Sequence, residues 1–78
     1  MFFKKKKRKI INVDGMTCDH CVKKIESVLE PLADVLKVKV DLGRMSVLVL
    51  YENTLDEVLL QNKIEELGYI VTGIKDES

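Results

Sequence analysis

Hydrophobic and polar residues follow two periods along this chain, and these periods predict which segments are strands and which are helices. Residues 10–14 are β-branched and roughly alternating, as in a strand. The next apolar residues are spaced three and four apart, as on one face of a helix, at Val22, Ile25, Val28, Leu29 and Leu32. We therefore expect a strand, a short connection and a helix.

A β-hairpin is predicted in the middle of the chain. Apolar residues alternate with polar ones at Leu36, Val38, Val40 and Leu42, which is the pattern of a strand with one buried face. A turn at Gly43 and Arg44 leads into residues 45–51, a strand that is apolar on both faces. Such a strand lies in the centre of a sheet or has its second face partly covered.

A second helix and a last strand complete the pattern. Thr54 and Glu57 fit a capping box, in which each side chain accepts a backbone N–H group of the other residue. The helix should run to about Leu67 and end at Gly68 in a left-handed conformation, before a strand at residues 69–74. The order βαββαβ predicts an α+β, ferredoxin-like fold, a four-stranded antiparallel sheet with two helices on one face.

The net charge of the 78 residues is +0, but the charges are unevenly distributed. Residues 4–9 are all basic, whereas residues 10–78 contain more acidic than basic side chains. We expect a basic leader at residues 1–9, one domain at residues 10–75 and a short tail at residues 76–78. The leader is interpreted as a solvated segment whose last residues enter the first strand, and electrostatic docking to anionic lipid or nucleic acid is the alternative.

No stretch of the sequence has the length and apolar character of a secretory signal or a membrane span, because Asn12 and Asp14 interrupt the first apolar run. A cytoplasmic location is therefore expected. Thiols are kept reduced there, so a disulfide between Cys18 and Cys21 is not the expected resting state.

Cys18 and Cys21 lie where the strand pattern gives way to the helical one. The unpaired N–H groups and the dipole at the start of a helix favour thiolate, the form that binds metal. We expect neither side chain to be needed to complete the hydrophobic core.

The spacing of the two cysteines has three interpretations. A thiol-disulfide oxidoreductase is one, although neither Trp nor Pro adjoins the pair. Half of a structural zinc site is another, but two cysteines and one histidine cannot close a Cys-rich tetrahedron. A two-thiolate site for a soft ion is the third, and Cu(I) is selected by such ligands.

Residues 15–26, with the sequence GMTCDHCVKKIE, resemble the signature of the heavy-metal-associated domain family. This family includes small copper chaperones and the metal-binding modules of P-type copper ATPases. Residues 34–42 resemble its second strand, and residues 64–69 resemble its closing Gly-Tyr element. One departure is Asp34, where the family usually has glycine, and Asp tolerates a left-handed backbone better than most residues.

The resemblance implies that Cys18 and Cys21 are the metal ligands and that Met16 is a buried support beneath the loop. It also implies that Tyr69 packs near the loop, although core contacts alone are the alternative. His20 should be exposed, and a role as a third ligand is its alternative.

The resemblance further implies a carrier that is not an enzyme, binding Cu(I) and sometimes zinc, cadmium or mercury. Its partners would be a P-type metal-transporting ATPase or another Cys-x-x-Cys domain, and two copies could share one ion as a homodimer. Lys23 and Lys24 would steer an acidic docking surface toward the site, or simply form a solvated helix face. No specific nucleic acid is expected, and association with anionic membranes should be weak.

Overall fold

The computed structural model describes residues 7–17 and 19–77, and in them two helices lie on one face of a four-stranded antiparallel sheet. The elements are β1 (Lys7–Asp14), α1 (Asp19–Leu29), β2 (Val35–Asp41), β3 (Ser46–Tyr51), α2 (Glu57–Glu65) and β4 (Ile70–Asp76). The strand order is β2-β3-β1-β4, so each helix connects two strands that are not neighbours. The ferredoxin-like fold predicted from the sequence is confirmed.

The hydrophobic core lies between the helices and the inner face of the sheet. β3 is central, as its apolar character predicts, and its inner residues Val47 and Val49 are fully buried. The other buried apolar residues of the core cluster are Ile11, Val13, Met16, Cys21, Ile25, Leu29, Val38, Leu60 and Ile64. Neither helix of the described segments is long and apolar enough to cross a membrane.

β1 begins at Lys7, three residues before the apolar segment that predicts the strand. The last residues of the basic leader therefore enter the first strand, as expected. Lys7, Arg8 and Lys9 pair with Tyr51, Leu50 and Val49 of β3. The backbone hydrogen bonds between neighbouring strands do not depend on the polarity of the side chains, so a basic sequence can continue the strand. The strand therefore enters the segment assigned to the leader, while residues 1–6, Cys18 and Ser78 lie outside the described residues.

β2 departs from the predicted alternation at Leu36. Val35 pairs with Tyr51 and Lys37 with the adjacent Leu50, so Leu36 is an extra residue in a β-bulge. The bulge turns this side chain outward and leaves it 46% exposed, whereas Val38 is buried as expected. The prediction of an inward-facing Leu36 is wrong, because the extra residue of the bulge interrupts the alternation of inward and outward side chains along the strand.

The N-terminus of α2 is capped by Asp56 rather than by Thr54. The Asp56 carboxylate accepts hydrogen bonds from the backbone N–H groups of Val58, at 2.9 Å, and Leu59, at 3.4 Å. The helix ends at Glu65, two residues before the predicted end, and Gly68 follows with a φ of 99°. The predicted capping box of Thr54 and Glu57 is wrong. The predicted left-handed conformation of Gly68 after the helix is confirmed.

A buried lysine joins three strands to α2. Lys9 is 4% exposed, and its Nζ lies 2.9 Å from both Glu57 Oε2 and Asp76 Oδ1. The Tyr51 hydroxyl donates a hydrogen bond to Asp76 Oδ1 at 2.8 Å, and Lys9 Nζ lies 5.2 Å from the centroid of the Tyr51 ring. β1, β3, β4 and the first turn of α2 therefore meet in one ionic cluster.

The cluster changes the protonation of its members. Burial alone would lower the pKa of Lys9, but hydrogen bonds to Asp76 and Glu57 outweigh burial and raise it. The hydrogen bond from Lys9, followed by that from Tyr51, lowers the pKa of Asp76. Because the Asp76 pKa is depressed, its stabilising contribution is present above the ordinary carboxyl pKa and is lost as pH falls through the folded-state value.

Replacing Lys9 with methionine should lower the free energy of unfolding by about 1–2 kcal/mol at neutral pH, because it removes hydrogen bonds to charged groups and keeps the aliphatic stem. The difference from wild type should shrink in acid, where Asp76 is protonated. Urea denaturation at neutral and acidic pH measures both effects, and Lys39→Met at an exposed position of β2 is the control. Equal midpoints for the wild type and Lys9→Met would show that the cluster contributes no net stability.

Candidate functional site

The candidate loop connects β1 to α1. β1 ends at Asp14, which pairs with Ile70 of β4, and α1 begins at Asp19. Gly15 follows the strand with a φ of 98°, a conformation that L side chains rarely adopt. The chain thus leaves the end of this central strand through a turn that favours glycine and enters the helix within a few residues.

Tyr69 lies against the first residue of this loop. A Cβ atom added to Gly15 would lie 3.4 Å from Tyr69 Cδ1, so the ring occupies the space beside the glycine backbone. Tyr69 is half-buried and also packs against the hydrophobic core. The prediction that its ring lies near the loop is confirmed, and the alternative of core contacts alone is wrong.

Cys21 is placed in the first turn of α1, with its side chain directed into the core. It is 7% exposed and belongs to the same buried cluster as Met16, which is 2% exposed. Cys21, Ile25 and Leu29 form the buried stripe of the helix at intervals of four residues. The buried position of Met16 is confirmed, whereas the expectation that neither cysteine contributes to the core is wrong for Cys21.

The polar side chains around the loop face solvent. His20 is exposed, as predicted, and so are Lys23 and Lys24 on the following turn. Within residues 7–17 and 19–77, no group of three or more His, Cys, Asp and Glu side chains is placed to hold a metal ion. Cys18 lies outside the described residues, so its pairing with Cys21 stays a prediction.

One feature near the loop was not identified from the sequence. Ile70, next to Tyr69, is 62% exposed, and its partner Asp14 adjoins the loop. At the other end of the sheet, Asp34 has a φ of 70°, so the expectation that it tolerates the left-handed backbone of the usual glycine is confirmed. The exposure of Ile70 depends on which face of β4 is covered, and the strand pattern alone does not reveal this.

The model of the heavy-metal-associated domain matches residues 10–69, which contain both cysteines and the whole described loop. The chain belongs to this family. The copper chaperone CopZ of Staphylococcus haemolyticus is 44% identical over 64 residues, covering 81% of this chain and 94% of the relative.

A domain of a larger protein is also similar. A probable copper-exporting P-type ATPase of Archaeoglobus fulgidus is 37% identical over 68 residues, which cover 86% of this chain and 8% of the ATPase. Among solved structures, the yeast copper transporter domain Ccc2a, studied in apo and Cu(I)-loaded states, superposes with a TM-score of 0.82 at 28% identity. That match covers 91% of this chain and 99% of the yeast domain. Members of the family therefore occur both as small single domains and as modules of transporters.

Replacing Gly15 with alanine should lower the free energy of unfolding by about 1–2 kcal/mol, because alanine is strained at this φ, whereas its Cβ would make only an ordinary contact with the Tyr69 ring. Thermal denaturation followed by circular dichroism measures the loss. Gly73→Ala is the matched control, since its added Cβ would also make an ordinary contact, 3.6 Å from Asn12 Nδ2, but Gly73 does not have a positive φ. A melting temperature for Gly15→Ala equal to that of the control would contradict the assigned strain.

Proposed function

We propose that this protein binds Cu(I) through the thiolates of Cys18 and Cys21 and transfers it to a partner by ligand exchange. The observation that carries the proposal is the family match over residues 10–69, together with relatives that are named as copper chaperones and copper-transporting ATPases. Soft thiolate ligands select Cu(I), which accepts a small number of ligands. Two cysteines are therefore a sufficient ligand set.

The placement of Cys21 supports a site with one firmly held ligand. Its side chain shares a buried stripe with Ile25 and Leu29, Met16 is buried in the same core cluster, and the Tyr69 ring lies beside Gly15. In the sequence, Cys18 stands between the exposed Thr17 and the first helical residue Asp19. A ligand held by the core suits exchange, because the other thiolate can leave the ion while Cys21 stays bound to it.

Transfer follows from an incomplete coordination shell. A thiolate of the partner adds to the bound Cu(I) ion before either original thiolate leaves, so the ion passes directly between proteins. Each Cu–S bond formed to the partner is followed by the breaking of one original Cu–S bond, with no change in oxidation state. The protein is then a carrier whose cargo is the metal, and we propose no catalytic role for it.

The proposed partner is another Cys-x-x-Cys domain, such as the metal-binding module of a P-type ATPase. Lys23 and Lys24 are exposed one turn beyond Cys21, and neither forms an ion pair within the described part of the chain. They would attract an acidic surface on the partner. Ile70 adds an exposed apolar contact at the same end of the sheet.

A homodimer in which two copies contribute four thiolates to shared copper is a second arrangement with the same ligands. Zinc, cadmium and mercury also bind thiolates, but the named relatives favour copper. We place the exchange in the cytoplasm, because the two thiols must stay reduced to bind metal. The thiol-disulfide oxidoreductase is the less favoured function.

The ligand assignment is tested by Cys18→Ser and Cys21→Ala, compared with His20→Ala. Alanine is chosen at Cys21 because a hydroxyl group would be placed in the apolar core. Both cysteine variants should lose tight Cu(I) binding in competition with a chromophoric chelator, while His20→Ala should change the affinity by less than about tenfold. Circular dichroism confirms that each variant is folded.

Wild-type Cu(I) affinity in either folded cysteine variant would overturn the two-thiolate site. A loss of tenfold or more in His20→Ala would make His20 a ligand and shift the assignment toward zinc. Mass spectrometry under non-denaturing conditions after Cu(I) loading gives the stoichiometry and separates the monomer from the metal-bridged dimer.

A further inference from the structure

The face of the sheet opposite the helices carries basic side chains around an apolar centre. Strand register aligns its outward residues in rows across the sheet. One row contains Lys37, Leu50 and Arg8, and the next contains Lys39, Leu48, Ile10 and Lys75. We call the surface formed by these seven residues the open face.

The centre of the open face is apolar. Ile10, Leu48 and Leu50 are each partly exposed, and no helix or loop of the described segments covers them. The three side chains come from the two central strands, so the lysines lie at the two edges, on β2 and β4. An exposed apolar patch with a charged rim is typical of a surface that binds a protein or a membrane.

A cleft on this face brings cationic groups together. Its volume is about 240 Å³, and Ile10 and Leu48 line it together with Arg8, Lys39 and Arg44. The carboxylates of Asp41 and Glu77 also line it, and Arg44 Nε lies 3.8 Å from Asp41 Oδ2. Lys39, in contrast, forms no ion pair with any described residue.

The charge of the open face opposes that of the helix side. Around the open face and its cleft, Arg8, Lys37, Lys39, Arg44 and Lys75 outnumber the acidic residues Asp41 and Glu77. The helices and the loops beside them are mainly acidic, although the whole chain has a net charge of +0. The next residues toward the start of the sequence, Lys4, Lys5 and Lys6, extend the basic character along the chain.

We propose that the open face docks on a membrane surface that contains anionic phospholipids. The rim of cations matches lipid phosphates, and the aliphatic centre matches the boundary of the acyl region. Single-stranded nucleic acid fits less well, because sheets that bind it stack bases on aromatic rings and the open face contains none. This second role is separate from the proposed metal site.

When the open face is docked on a membrane, the loop between β1 and α1 stays accessible. Arg8 lies near the start of β1, whereas Gly15 follows the other end of the strand, so the basic rows lie toward the end of the sheet away from the loop. The helices face away from the docked surface because they pack on the opposite side of the sheet. The docked protein can therefore still present Cys21 and its surroundings to a partner.

The proposal is tested by co-sedimentation with phosphatidylcholine vesicles that contain or lack phosphatidylserine. The full chain should bind the anionic vesicles at low ionic strength and dissociate as salt screens the charges. Lys39→Gln with Lys75→Gln should weaken this binding by about tenfold or more, since each lysine near an anionic surface contributes measurably. Lys23→Gln with Lys24→Gln removes the same charge from exposed positions on α1 and should leave vesicle binding nearly unchanged.

Equal losses in the two double variants would overturn the assignment, because net charge rather than the open face would then control binding. Failure of the full chain to bind anionic vesicles at low salt would also overturn it, as would tighter binding to a single-stranded RNA oligonucleotide. Deleting residues 1–6 tests the basic run. If the deletion loses vesicle binding while Lys39→Gln with Lys75→Gln keeps it, the basic run at the start of the chain alone causes docking, and the proposal for the open face is overturned. Cu(I) affinity, measured in parallel, should be the same in Lys39→Gln with Lys75→Gln as in the wild type, so the two proposals fail independently.

Discussion

The geometry of the candidate site depends on the burial of one face of α1 against the sheet. Cys21, Ile25 and Leu29 repeat every four residues and form a single stripe, and the latter two are completely buried. Fully burying a side chain such as Ile or Leu contributes about 1.5–3 kcal/mol, so the helix cannot shift without losing much of the core. The first turn, and with it Cys21, is therefore held by packing and not by the loop itself. One ligand of the proposed site owes its position to the hydrophobic effect.

β1 links this site to the rest of the fold. It is a central strand that pairs with β3 and β4, and it ends one residue before Gly15. Near its start, Lys9 binds Glu57 and Asp76, which belong to α2 and β4. The ionic cluster and the loop thus lie near opposite ends of one strand. The cluster can secure the position of β1 without placing charge beside the proposed thiolates.

The sequence was sufficient for the fold because its periods of two and of three to four residues are clear over whole elements. It was less informative where one residue depends on distant partners. Lys9 belongs to a basic run, and its burial depends on acidic residues 48 and 67 positions away. Leu36 is turned outward by a bulge that register with β3 imposes. The buried Met16 followed from the family resemblance, whereas the positive φ of Gly15 was not predicted and the burial of Cys21 depends on how α1 sits on the sheet.

The two faces of the domain can serve different partners because the sheet separates them. The helix side supplies the core and the loop, so a change there affects stability and the site together. The open face supplies little of the core, since Ile10, Leu48 and Leu50 are only partly buried. Substitutions of the lysines on the open face should therefore leave the positions of α1 and Cys21 unchanged. In the described part of the chain the sheet is covered on one side alone, so a small domain can present a second surface while the loop between β1 and α1 keeps its geometry.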